Sequence, residues 1–328
     1  MKKIRFGIVG PGNIANRFAQ AIKNVPFAEL TAVASRTQEN ADKFGDKYNI
    51  PYRFDSYEKM AKSDVIDVAY IAVPHSGHAE NAILMMKNKK HVLCEKPLAV
   101  NSAEIKLMIK AAKENNVFLM EAMWASFVPG TLKMMEIIKS GVLGDIRCAE
   151  GKFCYTFDED EMDHHALKRE NGGGSLLDVG VYCLYFADWY LGKDIEAISA
   201  QADKYNGVDS HLCVLIKHKN GAIADLSSAV LLRKNGTSYI YGTKGSAKLD
   251  RCYAPQHIEI NLNDGTKEEF SVPYSGNGFE EQIIHTCDCI NNGLIESPVN
   301  TFEQSLYISE QMDEIRKLTG IVYPQDKV

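Results

Sequence analysis

The sequence lacks several features that would point to particular classes of protein. No run of apolar residues approaches the roughly 18 to 20 that a membrane helix needs. Its 37 lysine and arginine residues are outnumbered by 43 aspartate and glutamate residues, and no basic cluster is present. These absences argue against nucleic acid and against an anionic membrane surface as partners. With a formal net charge of −6, the chain is expected to act on a small polar molecule.

Targeting and disulfide signals are also missing. The segment MKKIRFGIVG passes from two lysines directly into a strand pattern, without the apolar core and cleavage site of a signal peptide. The 8 cysteines are scattered without a C-x-x-C motif, and only Cys287 and Cys289 lie close together in the sequence. These features predict a cytoplasmic protein whose thiols are reduced and mostly buried.

The first part of the chain alternates apolar strands with amphipathic helices. The strand-like runs are IRFGIVG, LTAVASR, VIDVAYIAVP, HVLCEKP and VFLMEAM. Helical spacing of apolar residues separates them, and Asn101 or Ser102 is a suitable N-cap for one of the helices. Strands that are apolar on both faces predict an α/β fold, here an N-terminal Rossmann domain with a doubly wound parallel sheet over residues 1–123.

Residues 124–328 have a different pattern. A glycine-rich loop and a helix precede the strand-like segments ISAQADK, HLCVLIKHKNGAIADLSSAV, TSYIYGTKGSAKLD and HIEINLNDGTKEEFSV. Asn-Gly, Lys-Gly and Asp-Gly pairs mark their turns. The pattern predicts a C-terminal α+β domain with a largely antiparallel open sheet, and we expect this domain to bind the substrate. A last helix, about residues 301–318, is expected to pack back on the first domain.

A glycine-rich turn between the first strand and the first helix is the strongest motif. Gly10-Pro11-Gly12-Asn13-Ile14-Ala15 is a G-x-G-x-x-A fingerprint in the strand-turn-helix context that dinucleotide binding requires. Gly10 makes the turn, Gly12 lets the backbone approach the pyrophosphate, and Ala15 permits close packing of helix on strand. The N–H groups that begin the helix, at Asn13 and Ile14, then face the phosphates. The motif predicts binding of a nicotinamide dinucleotide.

The end of the second strand discriminates between NAD and NADP. Glu29 is about twenty residues after Gly10, but it precedes the apolar run and so lies at the wrong end of the strand. The residues at the carboxyl end are Ser35, Arg36 and Thr37, none of them acidic. Arg36 can pair with a 2′-phosphate and stack on adenine, which favours NADP(H) and leaves NAD possible. The alternative is that Arg36 is simply solvated.

Two further motifs resemble a known family. Glu95-Lys96-Pro97 at a strand end and the segment Gly173–Tyr182 ahead of a helix look like the glucose-fructose oxidoreductase and inositol dehydrogenase (Gfo/Idh/MocA) superfamily. Met120–Trp124, with Phe127 and Pro129, further resembles the branch that contains dimeric dihydrodiol dehydrogenase and NADP-dependent D-xylose dehydrogenase activity. The resemblance implies that Lys96 is a catalytic lysine near the nicotinamide and the substrate. It also indicates a cis peptide bond in Glu-Lys-Pro.

Removing a hydride from a carbinol requires a base for the hydroxyl proton, and the reverse reaction requires an acid. A tyrosine can fill both roles when a neighbouring ammonium favours its phenolate. Asp178 and Tyr182 are four residues apart and would share a helix face, with Lys96 reaching them from the other domain. We assign proton transfer to Tyr182, electrostatic support and substrate binding to Lys96, and orientation of the substrate or lysine to Asp178.

The division of roles between Tyr182 and Lys96 is left open, because a histidine typically replaces the tyrosine in the inositol dehydrogenase branch. Asp178 could instead be a helix N-cap, and Tyr182 a half-buried core residue. The predicted cofactor site also includes Val73, Pro74, His75 and His78, in the loop after the third strand, together with Glu95 and Lys96. His78 could equally cap the next helix.

Aromatic residues are candidates for the substrate pocket. Trp124, Tyr155 and Phe157 are predicted to line it with Lys96, Asp178 and Tyr182, although aromatics more often belong to a core. His164 and His165 follow the acidic residues 158–161, but the spacing does not suit a metal, and a solvated loop is the simpler interpretation. No metal is predicted.

The leading hypothesis is an NADP-dependent dehydrogenase or reductase of a sugar, polyol or trans-diol. A dinucleotide-binding regulator without catalysis is one alternative, and an enzyme that uses NAD transiently in sugar epimerisation or glycoside cleavage is another. By resemblance, a sheet face carrying Tyr239 and Tyr241 is expected to form a homodimer, and a tetramer is the other possibility. The alternative is that these tyrosines cover helices of their own chain.

Overall fold

The computed structural model describes residues 3–327. The chain forms two compact units, one of them made of the residues up to Trp124 with Ser275–Ser309. The other comprises Ala125–Tyr274 and Glu310–Lys327. Within the described residues, no helix is both long and apolar enough to cross a membrane. The 8 cysteines are all free thiols.

The first unit is built on a parallel sheet of six strands with the order β3-β2-β1-β4-β5-β6. Every residue of β4 is buried, and so is all of β5 except its first residue, as a sheet covered on both faces requires. The strand order reverses between β1 and β4, at the switch point where Rossmann domains bind ligands. The strands are β1 Ile4–Val9, β2 Ala28–Ala34, β3 Tyr52–Phe54, β4 Val68–Ile71, β5 His91–Glu95 and β6 Leu119–Ala122.

Five helices connect these strands. They are α1 Asn13–Ala21, α2 Gln38–Tyr48, α3 Tyr57–Ala61, α4 His78–Lys87 and α5 Ser102–Asn115. Of the two predicted caps for α5, Asn101 is the N-cap, and its side-chain oxygen accepts the Glu104 N–H at 2.9 Å. The parallel sheet and its helices confirm the predicted Rossmann architecture.

The segment 275–309 returns to the first unit, whereas the sequence analysis placed a single boundary after residue 123. Backbone bonding explains the difference, because the Leu119 N–H at the start of β6 donates to the Ile295 carbonyl at 3.0 Å. The Asn300 side chain donates to the Glu121 and Met123 carbonyls, each at 3.3 Å. The helix of this segment is α8, Glu280–Asn291, and α9, Phe302–Thr319, follows it.

The second unit contains an eight-stranded sheet with the order β14-β13-β12-β11-β7-β10-β9-β8. Among the described strands of this sheet, β7 and β10 are the one parallel pair, which confirms the largely antiparallel open sheet. Asn206 and Gly207, with φ of 50° and 80°, form the turn between β8 and β9. The strands are β7 Ile146–Cys154, β8 Ile195–Tyr205, β9 Val208–His218, β10 Ile223–Ala229, β11 Ser238–Gly242, β12 Gly245–Leu249, β13 His257–Leu262 and β14 Lys267–Ser271.

Helix α6, Pro129–Lys139, and helix α7, Val181–Leu191, complete this unit with the last turns of α9. The segment Leu176–Gly180 just before α7 is π-helical, where the sequence predicted ordinary helix. Such π-helical turns often occur at functional sites. This one carries Asp178, and Tyr182 follows in the first turn of α7.

Candidate active site

The glycine turn after β1 has the backbone geometry of an anion-binding site. Gly10 has φ of +91°, and a Cβ there would lie 2.8 Å from Val73 Cγ1. Gly12 precedes α1, and neither a side-chain cap nor an acidic residue occupies the start of that helix. Ala15 is fully buried, as close helix-strand packing requires. The N–H groups that begin α1, at Asn13 and Ile14, therefore suit a pyrophosphate.

The end of β2 presents a free cation. Arg36 is exposed, and among residues 3–327 no carboxylate forms an ion pair with it. Burial raises the pKa of the nearby Tyr57 hydroxyl, and the positive charge of Arg36 opposes that rise. Ser35 is buried, and the Thr37 hydroxyl accepts the Asn40 N–H at 3.4 Å as the N-cap of α2. Arg36 is thus the side chain of this trio that is open to a ligand.

The loop after β4 is tied to the lysine motif by a histidine. His78 is fully buried, with Nδ1 2.8 Å from the Pro97 carbonyl oxygen and Nε2 3.0 Å from that of Val73. Burial lowers the pKa of His78 to about 4, although both carbonyl contacts oppose the change. A neutral imidazole has a single N–H, so His78 can donate to only one of these two carbonyl oxygens while its ring packs between the two backbone segments. Its ring packs against that of His75 at 5.6 Å.

Two buried carboxylates accept hydrogen bonds from the backbone on either side of the Lys96–Pro97 peptide bond. Glu95 accepts the Tyr70 hydroxyl and the Lys96 N–H, and burial raises the pKa of its carboxyl to about 7 against these bonds and the charges of Lys96 and Arg17. Glu121 accepts the Leu98 N–H at 3.1 Å. The Lys96–Pro97 peptide bond is cis, as the motif indicated.

Trp124 belongs to the first unit and is almost fully buried. Its ring lies 5.4 Å from that of Phe279, and the Arg17 guanidinium lies over both rings, 5.1 Å from Trp124 and 4.5 Å from Phe279. Arg17 also donates to the Asn277 carbonyl at 2.9 Å. This packing fixes the orientation of the Trp124 side chain.

In the second unit, Asp178 accepts the Tyr155 hydroxyl at 2.5 Å. Burial raises the pKa of Tyr155, and the Asp178 charge raises it further, so Tyr155 stays protonated and donates. Asp178 lies inside the π-helical turn, which makes the alternative of a helix N-cap wrong. Phe157 packs against Tyr155 at 5.1 Å and against His164 at 4.5 Å.

Tyr182 is 6% exposed, with its ring 5.6 Å from that of Phe153 and 5.5 Å from that of Tyr253. The sequence analysis did not identify Phe153 or Tyr253, because a single aromatic on a strand or loop carries no signal for a site. No role was assigned to Tyr70, or to Glu121 within the Met120–Trp124 motif, because the bonds that their side chains make depend on β4, β5 and β6 being neighbours. In residues 3–327 no group of three or more His, Cys, Asp or Glu side chains could hold a metal.

The strand order and the glycine turn define a dinucleotide-binding protein of the Rossmann class. A family model for an oxidoreductase family with an NAD-binding Rossmann fold matches residues 4–123. A second model, for the GFO/IDH/MocA C-terminal domain, matches residues 131–248. The chain therefore belongs to the Gfo/Idh/MocA family, as the motifs at Glu95–Pro97 and Gly173–Tyr182 indicated.

Full-length relatives support this assignment. The chain is 35% identical over 338 residues to trans-1,2-dihydrobenzene-1,2-diol dehydrogenase of Mus musculus, with 99% of each chain covered. It is 36% identical over 336 residues to scyllo-inositol 2-dehydrogenase (NADP(+)) IolU of Bacillus subtilis (strain 168), again with 99% of each covered. A 3-ketoreductase from Actinomadura kijaniata, solved with NADP and TDP-benzene, has a TM-score of 0.89 at 26% identity over 97% of this chain and 98% of that one. The protein is an oxidoreductase with an NAD(P)-binding Rossmann domain, which favours catalysis over the regulator hypothesis.

Proposed function

We propose that this enzyme is a cytoplasmic NADP(H)-dependent dehydrogenase or reductase that acts on a carbinol or carbonyl of a sugar, polyol or trans-diol. The observation that carries the proposal is the Asp178–Tyr155 hydrogen bond on the π-helical turn that leads into Tyr182. A carboxylate with a phenolic donor beside it can bind neighbouring hydroxyl groups of a substrate. The dehydrogenases of diols and inositol among the relatives agree with such a substrate.

The cofactor would be held by the groups of the first unit. Gly10, Gly12 and the start of α1 suit its pyrophosphate. Arg36 suits the 2′-phosphate because no acid of the described residues 3–327 pairs with it, and the end of β2 carries none. The loop of Val73, Pro74 and His75 lies at the carboxyl end of β4, where a dinucleotide is expected. When bound, a nicotinamide gives or accepts the hydride.

Proton transfer is the task left to the protein. We assign it to Tyr182, with Lys96 favouring the phenolate and binding the reacting oxygen, and with Asp178 orienting the substrate. Glu95 accepts the Lys96 N–H and Glu121 accepts the Leu98 N–H. These bonds fix the backbone from which the Lys96 side chain extends, which supports a catalytic role for its ammonium group. Tyr155 remains protonated and serves as a donor rather than as the base.

The test is turnover with a panel of aldoses, inositols and diols, followed through the absorbance of the reduced nicotinamide with NADP+ and with NAD+. We expect Lys96→Met and Tyr182→Phe each to lower kcat by about 10² or more while cofactor affinity stays near its original value. Tyr190→Phe is the matched control, because Tyr190 lies on the same helix and its buried hydroxyl has no hydrogen-bond partner. Tight cofactor binding without turnover of any substrate would refute the proposal.

We also propose a homodimer. The sheet of the second unit leaves apolar side chains exposed on one face, among them Leu215 at 51%, Ile223 at 43% and Tyr241 at 37%. The Tyr239 and Tyr241 rings stack at 5.8 Å on the same sheet. Sedimentation analysis should give twice the chain mass of 36.5 kDa, and Tyr241→Lys should shift the mass toward the monomer.

A further inference from the structure

Asp209 is a buried carboxylate in the second unit that none of the steps above uses. It is the second residue of β9 and is 1% exposed. One carboxylate oxygen, Oδ2, accepts the Ser175 hydroxyl at 2.7 Å and the Leu176 N–H at 2.6 Å. Ser175 and Leu176 are the residues at which the π-helical turn begins. Asp209 is therefore bonded to the start of the segment that carries Asp178.

The other oxygen, Oδ1, is buried and has no hydrogen-bond partner among residues 3–327. It lies against Gly174, where φ is +111° and where a Cβ would approach Oδ1 to 2.3 Å. Burial raises the pKa of Asp209 to about 6, against the bonds from Ser175 and Leu176. An ionised carboxylate in this position costs stability, and an asparagine could accept the same two donors. Fold stability therefore does not explain why a carboxylate stands here.

The structure around Asp209 shows what the charge acts on. Ser175 Oγ lies 3.0 Å from Ser228 Oγ, and a Cβ on Gly180 would lie 2.9 Å from that same atom. The π-helical turn is thus seated closely on β10 at Ser228, with Asp209 holding its first residues. Hydrogen bonds to an ionised acceptor are roughly twice as strong as neutral ones. Loss of the charge would loosen the turn without removing its bonding partners.

We propose that Asp209 is a positioning residue, whose carboxylate fixes the start of the π-helical turn and through it the placement of Asp178 and Tyr182. It touches neither substrate nor cofactor in this role. The inference rests on the proposed function, since it assumes that Asp178 and Tyr182 act in the reaction.

If this proposal is correct, kcat should depend on the ionisation of Asp209. Charged or titratable groups lie on the elements around Asp209. Lys204 is its partner on β8, and Asp178 lies in the π-helical turn. The Tyr323 hydroxyl donates to the Gly173 carbonyl, the Arg316 guanidinium lies over the Tyr323 ring, and Asp326 accepts a bond from Arg316. Lys204 instead donates to the Gly320 carbonyl, and Arg316 is paired with Asp313 and Asp326. None of these cations neutralises the Asp209 carboxylate directly.

The experiment compares Asp209→Asn with the wild type in the direction of carbonyl reduction. We expect kcat at pH 8 to fall about tenfold, the KM for the reduced cofactor to stay within twofold, and the thermal midpoint at pH 8 to be equal or higher. The wild-type kcat should decrease below pH about 6, toward the level of the variant, and the variant should show no such decrease.

Asp203→Asn is the matched control, because it makes the same charge change at an exposed position on the neighbouring strand. Ser175→Ala removes one of the two hydrogen bonds but keeps the carboxylate, so we expect kcat to fall by only about threefold and still to decrease at acid pH. This variant also tests the proposal if Asp209→Asn does not fold. The inference would be overturned if Asp209→Asn kept the wild-type kcat. It would also be overturned if kcat of this variant still decreased at acid pH, because another group such as Glu95 would then cause the decrease. If Tyr182→Phe measured alongside is also fully active, the proposed function fails instead.

Discussion

The two glycines of the fingerprint should separate stability from cofactor binding when each is replaced by alanine. At Gly10 the backbone has φ of +91°, and the new Cβ would lie 2.8 Å from Val73 Cγ1 and 3.1 Å from the Ala72 carbonyl oxygen. The left-handed conformation costs about 1–2 kcal/mol for a residue with a side chain. Overpacking adds about 1–3 kcal/mol. Gly10→Ala should therefore lose about 2–5 kcal/mol of folding stability.

Gly12 differs because its conformation, φ −89° and ψ −166°, is open to any residue. A Cβ there would meet only the Ala72 carbonyl oxygen, at 3.9 Å. Gly12→Ala should leave the fold intact, yet its methyl group would stand where the backbone must approach a pyrophosphate. The loss in cofactor affinity should be about 2 kcal/mol, or about 30-fold in Kd.

The assays are thermal unfolding without cofactor and fluorescence titration with NADPH. Gly10→Ala should lower Tm by about 4 to 20 °C, at about 2–4 °C per kcal/mol for a unit of this size, whereas Gly12→Ala should stay within about 1 °C of the wild type. A Gly12→Ala protein that binds NADPH as well as the wild type would refute the placement of the phosphates. Equal Tm losses for the two variants would refute the reasoning from Cβ contacts.

Three further changes test other parts of the site. Tyr155→Phe removes a charge-assisted hydrogen bond to Asp178 worth about 1.5–3 kcal/mol, so kcat/KM should fall about 10- to 100-fold with cofactor Kd unchanged; steady-state kinetics with unchanged kcat/KM would exclude Tyr155 from the site. Arg36→Ala should raise the KM for NADP(H) by about 10² but that for NAD(H) by less than twofold, and equal effects on both cofactors would contradict the 2′-phosphate assignment. Glu95, with a folded pKa of about 7 against an ordinary 4.5, contributes stability that is fully present below pH 4.5 and lost as pH rises through 7. As pH rises from 4.5 to 8, the free energy of unfolding of Glu95→Gln, measured in urea, should therefore increase relative to the wild type by up to about 3 kcal/mol. A difference between the two proteins that does not change with pH would rule this out.

The Rossmann unit was predictable because its signals are local. Strands that are buried on both faces are continuous apolar runs, and Gly10 and Gly12 follow the first of them directly. The Asn206-Gly207 turn was equally plain, since this pair suits the left-handed turn of a hairpin. In contrast, β7 was missed because Arg147, Glu150 and Lys152 interrupt its apolar residues, and its parallel partner β10 is far away in sequence.

The sequence offers candidates for the proposed site only where a motif contains the residue. Lys96, Asp178 and Tyr182 stand in recognisable segments. The bond from Tyr155 to Asp178, in contrast, joins the residue after β7 to the π-helical turn, and no spacing in the sequence indicates it. Asp209 is harder still to predict. Alternation along β9 places Leu212, Val214 and Ile216 inside and would place Asp209 outside, yet residues 208–210 are all buried. The alternation fails there because Ser175 and Leu176 supply bonds to Asp209 that no strand pattern encodes.

The return of residues 275–309 to the first unit has a consequence for biosynthesis. The Leu119 N–H and the Glu121 and Met123 carbonyls find their partners at Ile295 and Asn300. A ribosome adding about 5–20 residues per second needs about 10–35 s to proceed from β6 to Asn300. During that time the edge of the parallel sheet at β6 is synthesised but unfinished. We expect a nascent chain stalled near residue 200 to expose this edge to proteases and chaperones, and one stalled well beyond residue 309 to protect it.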